Sequence, residues 1–189
     1  MNSEYKGVEA RQVSIFASIF TPFLEAEKFD YIIEIGTCRG GFTRFLKDAS
    51  PNSFVISYDI HKQTGPDYDS SGIDLRIKNI FNQNMSKVVD DEALWYLSLD
   101  KKKLILCDNG HKINEFNCLA KHLKVGDVIM AHDYAPTHEY FVQNLKDKIW
   151  NWCEIREEHI SKVSEECGLV HYNQEEFQKI VWVCKKKIK

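Results

Sequence analysis

The sequence predicts a single α/β domain built on a mostly parallel sheet, and three observations carry that prediction. The stretch Tyr31-Ile-Ile-Glu-Ile-Gly-Thr-Cys-Arg-Gly-Gly-Phe-Thr43 runs as an apolar strand into Glu34 and Gly36, then reaches a glycine pair where a helix should begin. The next apolar run, Phe54-Val-Ile-Ser-Tyr58, ends on Asp59, 25 residues after Glu34, which is the interval of one strand-helix-strand unit. Further apolar runs at 73–78, 103–107 and 128–131 alternate with helix-period segments, and polar residues stand at their carboxyl ends.

The 189 residues suffice for one well-buried domain and are too few for two, so residues 1–189 are read as one unit with an N-terminal helical segment over 1–29. Apolar residues make up 43% and charged residues 28%, ordinary globular usage. A net charge of −3, from 25 basic and 28 acidic residues, gives no general attraction to nucleic acid or to an anionic membrane. No apolar run approaches membrane-spanning length and the N-terminus lacks a signal-peptide core. Six cysteines without a C-x-x-C pair read as buried free thiols in a reducing compartment, so a cytoplasmic location is expected.

In chain order, Ile15, Phe16, Ile19, Phe20 and Phe23 recur at helical spacing over residues 7–20, and Thr21-Pro22 is expected to break that helix and restart a short turn to residue 27. After the glycine turn, Phe42, Phe45 and Leu46 form the inner face of a helix that ends near Ser50-Pro51-Asn52. Asp67-x-Asp69-x-Ser71-Gly72 has the start of a calcium loop, but its twelfth position is Lys78 instead of a bidentate Glu, so it is read as a solvated turn. A helix is expected over 85–97 and another over 113–123, with a turn at 124–127 between the latter and the strand 128–131. Residues 136–150 read as helix, the alternation Trp150-x-Trp152-x-Glu154-x-Arg156 as strand, 179–184 as a last strand, and 185–189 as a solvated basic tail.

The turn after the first strand suits a nucleotide cofactor. Glycines let the backbone approach a ligand, and the helix start near Gly41 offers free N–H groups and a positive dipole end. A dinucleotide site wants G-x-G-x-x-G, but position 38 is Cys38 and the pattern is Glu34-x-Gly36-x-x-x-Gly40-Gly41. This resembles motif I of the class I S-adenosylmethionine-dependent methyltransferases, and Glu-Ile-Gly-Thr-x-Arg-Gly-Gly is most similar to the small-molecule O-methyltransferase and cephalosporin-hydroxylase-like branches. Asp108-Asn-Gly-His111 and Val128-Ile-Met-Ala-His-Asp-Tyr134 are similar to the family's Asp-Gly-Asp-His and Gly-Gly-Val-Ile-x-x-His-Asp-Tyr segments, with Gly110 where an acid is common and Asp127 where a second glycine is common.

The resemblance covers roughly residues 30 to 185 and implies a Rossmann-like methyltransferase fold, a seven-stranded mostly parallel sheet of order 3-2-1-4-5-7-6 with helices on both faces. It implies S-adenosyl-L-methionine as cofactor and S-adenosyl-L-homocysteine as product. Glu34, Gly36, Thr37, Cys38, Arg39, Gly40, Gly41 and Phe42 would form the cofactor turn, and Asp108 would stand beside it. Asp59, followed by Ile60, is placed to accept hydrogen bonds from both ribose hydroxyls. Ile80 and Phe81 would sandwich the adenine while Asn79 bonds its edge, or all three are strand-end core.

Methyl transfer is an in-line displacement that needs alignment and, for a hydroxyl acceptor, removal of a proton. His111 is the expected base, three residues after Asp108, against the reading that it bonds local backbone carbonyls. Asp108, His132 and Asp133 match the positions that hold a divalent ion in metal-dependent relatives, which would make them ligands for Mg2+ or Mn2+; otherwise Asp108 caps the following helix and the other two bond locally. Tyr134, Tyr140, Trp150 and Trp152 wall an aromatic acceptor pocket or belong to the core.

The expected partner is a small-molecule acceptor, not nucleic acid or membrane, because no Pro-Pro-aromatic or Pro-Cys motif of the nucleic-acid enzymes occurs. Oligomeric state is not legible. The competing reading is a catalytically degenerate methyltransferase fold that serves as a binding or interaction module.

Overall fold

The computed structural model describes residues 3–189. Its centre is one sheet of seven strands: β3 (Tyr31–Ile35), β4 (Phe54–Asp59), β5 (Ile73–Ile77), β6 (Lys103–Cys107), β7 (Val128–Ala131), β10 (Leu169–His171) and β11 (Val183–Lys187). They lie in the order β10-β11-β7-β6-β3-β4-β5. The run from β7 to β5 is parallel, β11 enters antiparallel beside β7, and β10 closes the edge antiparallel to β11, so the sheet is mixed. Two short pairs complete the strands: an N-terminal hairpin of β1 (Glu4–Tyr5) and β2 (Val8–Glu9), and a parallel pair of β8 (Tyr134–Ala135) with β9 (Ile155–Arg156).

Strand side chains alternate between two apolar layers, as the pleat requires. Ile33, Ile35, Ile56 and Ile105 face α3 (Asp91–Ser98), α4 (Lys112–Leu119) and α6 (Glu157–Glu166). Ile32, Val55, Leu104 and Met130 face the other way, toward α1 (Phe16–Glu27), α2 (Gly41–Ala49) and α7 (Gln174–Gln178). Phe20 of α1 sits amid edge-to-face contacts with Phe42, Phe177 and Trp182, joining the N-terminal helix to the end of the chain. No helix among the described residues is long and apolar enough to cross a membrane.

Several boundaries differ from the sequence reading. Thr21-Pro22 does not break α1, which runs through Pro22, and the residues expected to begin that helix form the β1–β2 hairpin. Helix α3 starts at Asp91 because Asp90 caps it, its carboxylate accepting from Ala93 N at 2.9 Å; Val88 is drawn into a bridge with Phe81 instead. The segment 136–150 holds only the short α5 (His138–Tyr140) and a π-helical turn, Phe141–Leu145. Of the expected strand from 150 only Ile155–Arg156 forms. The basic tail is largely strand: Lys185 is 3% exposed and pairs with Glu157 at 2.6 Å. Asp127 earns its place where a glycine is common, because it accepts from Lys103 N at 2.8 Å and Lys124 N at 2.9 Å and tethers β6 to the turn before β7.

Candidate active site

The carboxyl ends of β3, β4, β6 and β7 lie together, and the residues that follow them surround two adjoining cavities, as expected for the crevice of an open parallel sheet. The larger, about 770 Å³, is lined by Gly36, Thr37, Cys38, Asp59, Asp108 and His132 among others. The smaller, about 210 Å³, is lined by Ile60, Asn79, Ile80, Phe81 and His111 among others. Asp59 and Asn109 belong to both walls and mark where the cavities meet.

Gly36 has no alternative at its position. Its φ is +108°, and a Cβ there would stand 2.5 Å from the Asp108 carbonyl oxygen. Cys38 is held in the left-handed region at φ 49°, with its N–H donated to Asp59 Oδ2 at 2.8 Å. Asp59 Oδ1 accepts from His61 N at 2.9 Å, so each oxygen of this buried carboxylate keeps a further lone pair for a ligand hydroxyl.

The rest of the expected cofactor turn divides. Thr37, Cys38 and Phe42 line the larger cavity. Glu34 does not: it is buried behind the turn, where one oxygen accepts from Thr43 Oγ1 at 2.6 Å and from the Ser57 hydroxyl. Burial pushes its carboxyl up to about 8 against those two hydrogen bonds, aided by the negative charges of Asp108 and Asp59. Arg39 is not on the wall either: it donates to the Gln63 carbonyl at 3.1 Å and lies 3.8 Å from Glu9, two residues that do line the larger cavity. Gly40 and Gly41 answer to packing, since a Cβ would meet the Tyr68 ring at 2.5 Å and the Val8 carbonyl oxygen at 2.4 Å. These four residues reach neither cavity wall, so their part is to shape the turn.

His111, expected as the base, is exposed and lines only the smaller cavity, beside Ile60 and Phe81. The imidazole paired with a carboxylate on the wall of the larger cavity is His132. Its Nδ1 lies 3.0 Å from Asp108 Oδ1, the ring is 2% exposed on the wall of the larger cavity, and its Nε2 has no hydrogen-bond partner. Asp108 Oδ2 accepts from Gln12 Nε2 at 2.7 Å, and Gln12 Oε1 accepts from Trp182 Nε1 at 2.9 Å. Asp108 thus orients the ring and Gln12 orients Asp108.

The expected metal ligands Asp108, His132 and Asp133 do lie close together, but each of the four carboxylate oxygens already meets a donor of this chain. Asp133, at φ 58°, accepts from Trp150 Nε1 at 2.5 Å and from Lys112 Nζ at 2.9 Å. Burial opposes its charge, yet the His132 ring and the Lys112 ammonium outweigh this and hold the carboxyl below its usual range. Among the described residues no three His, Cys, Asp or Glu side chains are placed to hold a metal ion. With an ammonium seated on Asp133 and no third such ligand in place, the donor set as it stands does not fit a divalent ion.

Trp150 and Trp152 line the larger cavity, whereas Tyr134 is core and donates to Glu157 at 3.1 Å. Gln12, Lys112 and Glu154 were missed. Glu154 sits in an alternation read as strand, Lys112 directly follows His111, and Gln12 carries no signal in the sequence at all.

No family model matches the sequence, and no curated protein does. Solved structures do. The structure of CmcI without ligand superposes with a TM-score of 0.68 at 14% identity, over 98% of this chain and 76% of that one. A CmcI complex with Mg and SAM gives 0.63 at 14%, over 98% and 76%. Human N-acetylserotonin methyltransferase in complex with SAM gives 0.60 at 11%, over 93% of this chain and 52% of that one. The chain has the fold of the S-adenosylmethionine-dependent methyltransferases. Within that fold its likeness runs to structures described as O-methyltransferases as well as to CmcI.

Proposed function

We propose that this chain is an S-adenosylmethionine-dependent methyltransferase that acts on a hydroxyl of a small-molecule acceptor, with His132 as the group that receives the acceptor proton. The observation that carries the reading is an imidazole oriented by Asp108, its Nε2 buried without a partner, in a residue that lines a cavity meeting a second, smaller one at Asp59.

The residues present fit the cofactor. Asp59 keeps acceptor capacity on both oxygens where the cavities meet, which suits a ribose. The smaller cavity offers Ile60, Ile80 and Phe81 as apolar walls and Asn79 as a polar edge, which suits an adenine, although Asn79 Oδ1 already accepts from Phe81 N at 3.0 Å. Gly36, Thr37, Cys38 and Phe42 would hold the methionine portion in the larger cavity. When bound, the cofactor supplies a methyl group made electrophilic by its sulfonium.

The chain's own work is alignment and proton removal. With the cofactor held there, its methyl group would go to the acceptor oxygen as the carbon–sulfur bond breaks, and His132 Nε2 would receive the proton that oxygen gives up. Asp108 holds the Nδ1 proton, which leaves Nε2 as the acceptor, and offsets the charge on the resulting imidazolium. About 770 Å³ lies within the size range of sites for small ligands, and Trp150 and Trp152 provide flat apolar surface for the acceptor. No step is assigned to a metal, because the candidate ligands are engaged with Lys112, Trp150 and Gln12.

Calorimetry with S-adenosylmethionine and S-adenosylhomocysteine, with mass spectrometry of any co-purified ligand, tests the cofactor. Micromolar uptake followed by methyl transfer to a member of a hydroxyl-bearing acceptor panel supports the reading. No uptake of either nucleoside at millimolar supply removes it.

A further inference from the structure

The ammonium of Lys112 sits against Asp133, one of the three residues expected to hold a metal. Lys112 opens α4, is 5% exposed, and lines the larger cavity. Its Nζ donates to the Asn109 carbonyl at 2.5 Å, lies 2.9 Å from Asp133 Oδ2 and donates to Glu154 Oε2 at 3.1 Å, so its three protons meet three oxygens. Glu154 is fixed twice, because its Oε1 also accepts from Lys112 N at 2.8 Å. The backbone N–H of Glu154 donates to the Asp133 carbonyl at 3.0 Å, which joins the two carboxylate-bearing loops. Burial works against the charge on Lys112, but the carboxylates of Asp108, Asp133 and Glu154 outweigh it and raise its pKa.

We propose that Lys112 is the built-in cation of the acceptor site: its ammonium occupies the oxygen cage of Asn109, Asp133 and Glu154 in place of a divalent ion. Lys112 is then a positioning residue that keeps Asp133 and Glu154 ordered beside His132 and leaves the site independent of metal. A divalent ion in the same cage would face an ammonium at close range, in a buried setting where like charges repel strongly. The name acceptor site rests on the function proposed above; the occupancy of the cage does not.

The test uses the full chain, stripped of metal with chelator and titrated with MnCl2 while free Mn2+ is followed by electron paramagnetic resonance. The wild-type chain is expected to take up no Mn2+ at micromolar concentrations. Lys112→Ala leaves the carboxylates without their counter-ion and is expected to gain one Mn2+ per chain with affinity at least about tenfold higher, as ligand charge in an oxygen site dictates. Adding Asp133→Asn should abolish that gain, which a merely structural lysine does not foresee. Lys112→Gln, close in length and neutral, provides the same comparison if the alanine variant fails to fold.

Stoichiometric Mn2+ uptake by the wild-type chain overturns the proposal, and so does a folded Lys112→Ala or Lys112→Gln chain with no gain. The wild-type titration decides even if neither variant folds. S-adenosylmethionine uptake is measured on the same samples. A chain that takes up the nucleoside and also binds Mn2+ sinks this proposal alone, and one that refuses both sinks only the functional reading.

Discussion

The indole of Trp182 stacks on the imidazole of His132, with centroids 4.9 Å apart and planes 26° from parallel, and its N–H begins a relay that returns to the same ring. Trp182 Nε1 donates to Gln12 Oε1, Gln12 Nε2 donates to Asp108 Oδ2, and Asp108 Oδ1 meets His132 Nδ1. Every member is held on two sides, so the imidazole has one orientation. Trp182→Phe should keep the apolar body of the stack and cut the first bond, leaving Gln12 Oε1 buried and unpaired. A stability loss of about 1–3 kcal/mol in urea is expected. Turnover should fall while affinity for the cofactor stays within a few-fold, since Trp182 lines neither cavity.

The two histidines separate by function. His132→Ala should lower kcat by roughly 10²–10⁴-fold, the usual worth of a positioned base, and leave S-adenosylmethionine affinity nearly unchanged. His111→Ala should do the reverse, because His111 lines the smaller cavity: weaker nucleoside binding with kcat nearly intact. Parallel calorimetry and saturation kinetics check both. Equal kinetic loss in the two variants would sink the assignment of the base.

Much of this site was legible because parallel strands deliver their carboxyl ends to one edge. Gly36, Asp59, Asp108, His132 and Asp133 each follow an apolar run of recognisable length, and all five line the larger cavity. What the order of residues along the chain does not reveal is which way a side chain turns. Glu34 lies opposite Ser57 and Asp59 stands two residues beyond that, and this offset decides their roles: Glu34 meets the hydroxyls of Thr43 and Ser57 beneath the turn while Asp59 faces the cavities. His132 directly follows β7 and His111 stands at the start of α4 after β6, and only a partner 24 residues away, Asp108, singles out His132. Gln12 lies 96 positions from the carboxylate it holds, beyond the reach of any local pattern.

Gly36→Ala tests the backbone geometry of the turn. The added Cβ would lie 2.5 Å from the Asp108 carbonyl oxygen and 2.8 Å from Asn109 N, at a φ of +108° that alanine disfavours. Neither neighbour is a flexible side chain, so β3 and β6 must part at the point where both cavities are built. A loss of about 2–4 kcal/mol is expected from the clash and the φ together, with cofactor uptake abolished in whatever fraction folds. Thermal unfolding with and without S-adenosylhomocysteine reports both effects.

Two buried carboxyls should set the alkaline side of the stability profile. Glu34 and Glu115 are each pushed up to about 8, in both cases chiefly by burial, and each has an oxygen without a partner. Against an ordinary value of 4.5, the folded chain keeps these protons after the unfolded chain has lost them. Their contribution is therefore complete below about pH 4.5 and is lost as pH rises through about 8. Glutamine copies the protonated acid in shape and does not ionise. Glu34→Gln and Glu115→Gln should match the wild-type chain near pH 5, then gain on it as pH rises to 9, by an amount on the order of a few kcal/mol each. Urea unfolding across that range measures the difference, and a gap that does not widen with pH would show that both groups ionise in the folded chain as easily as in water.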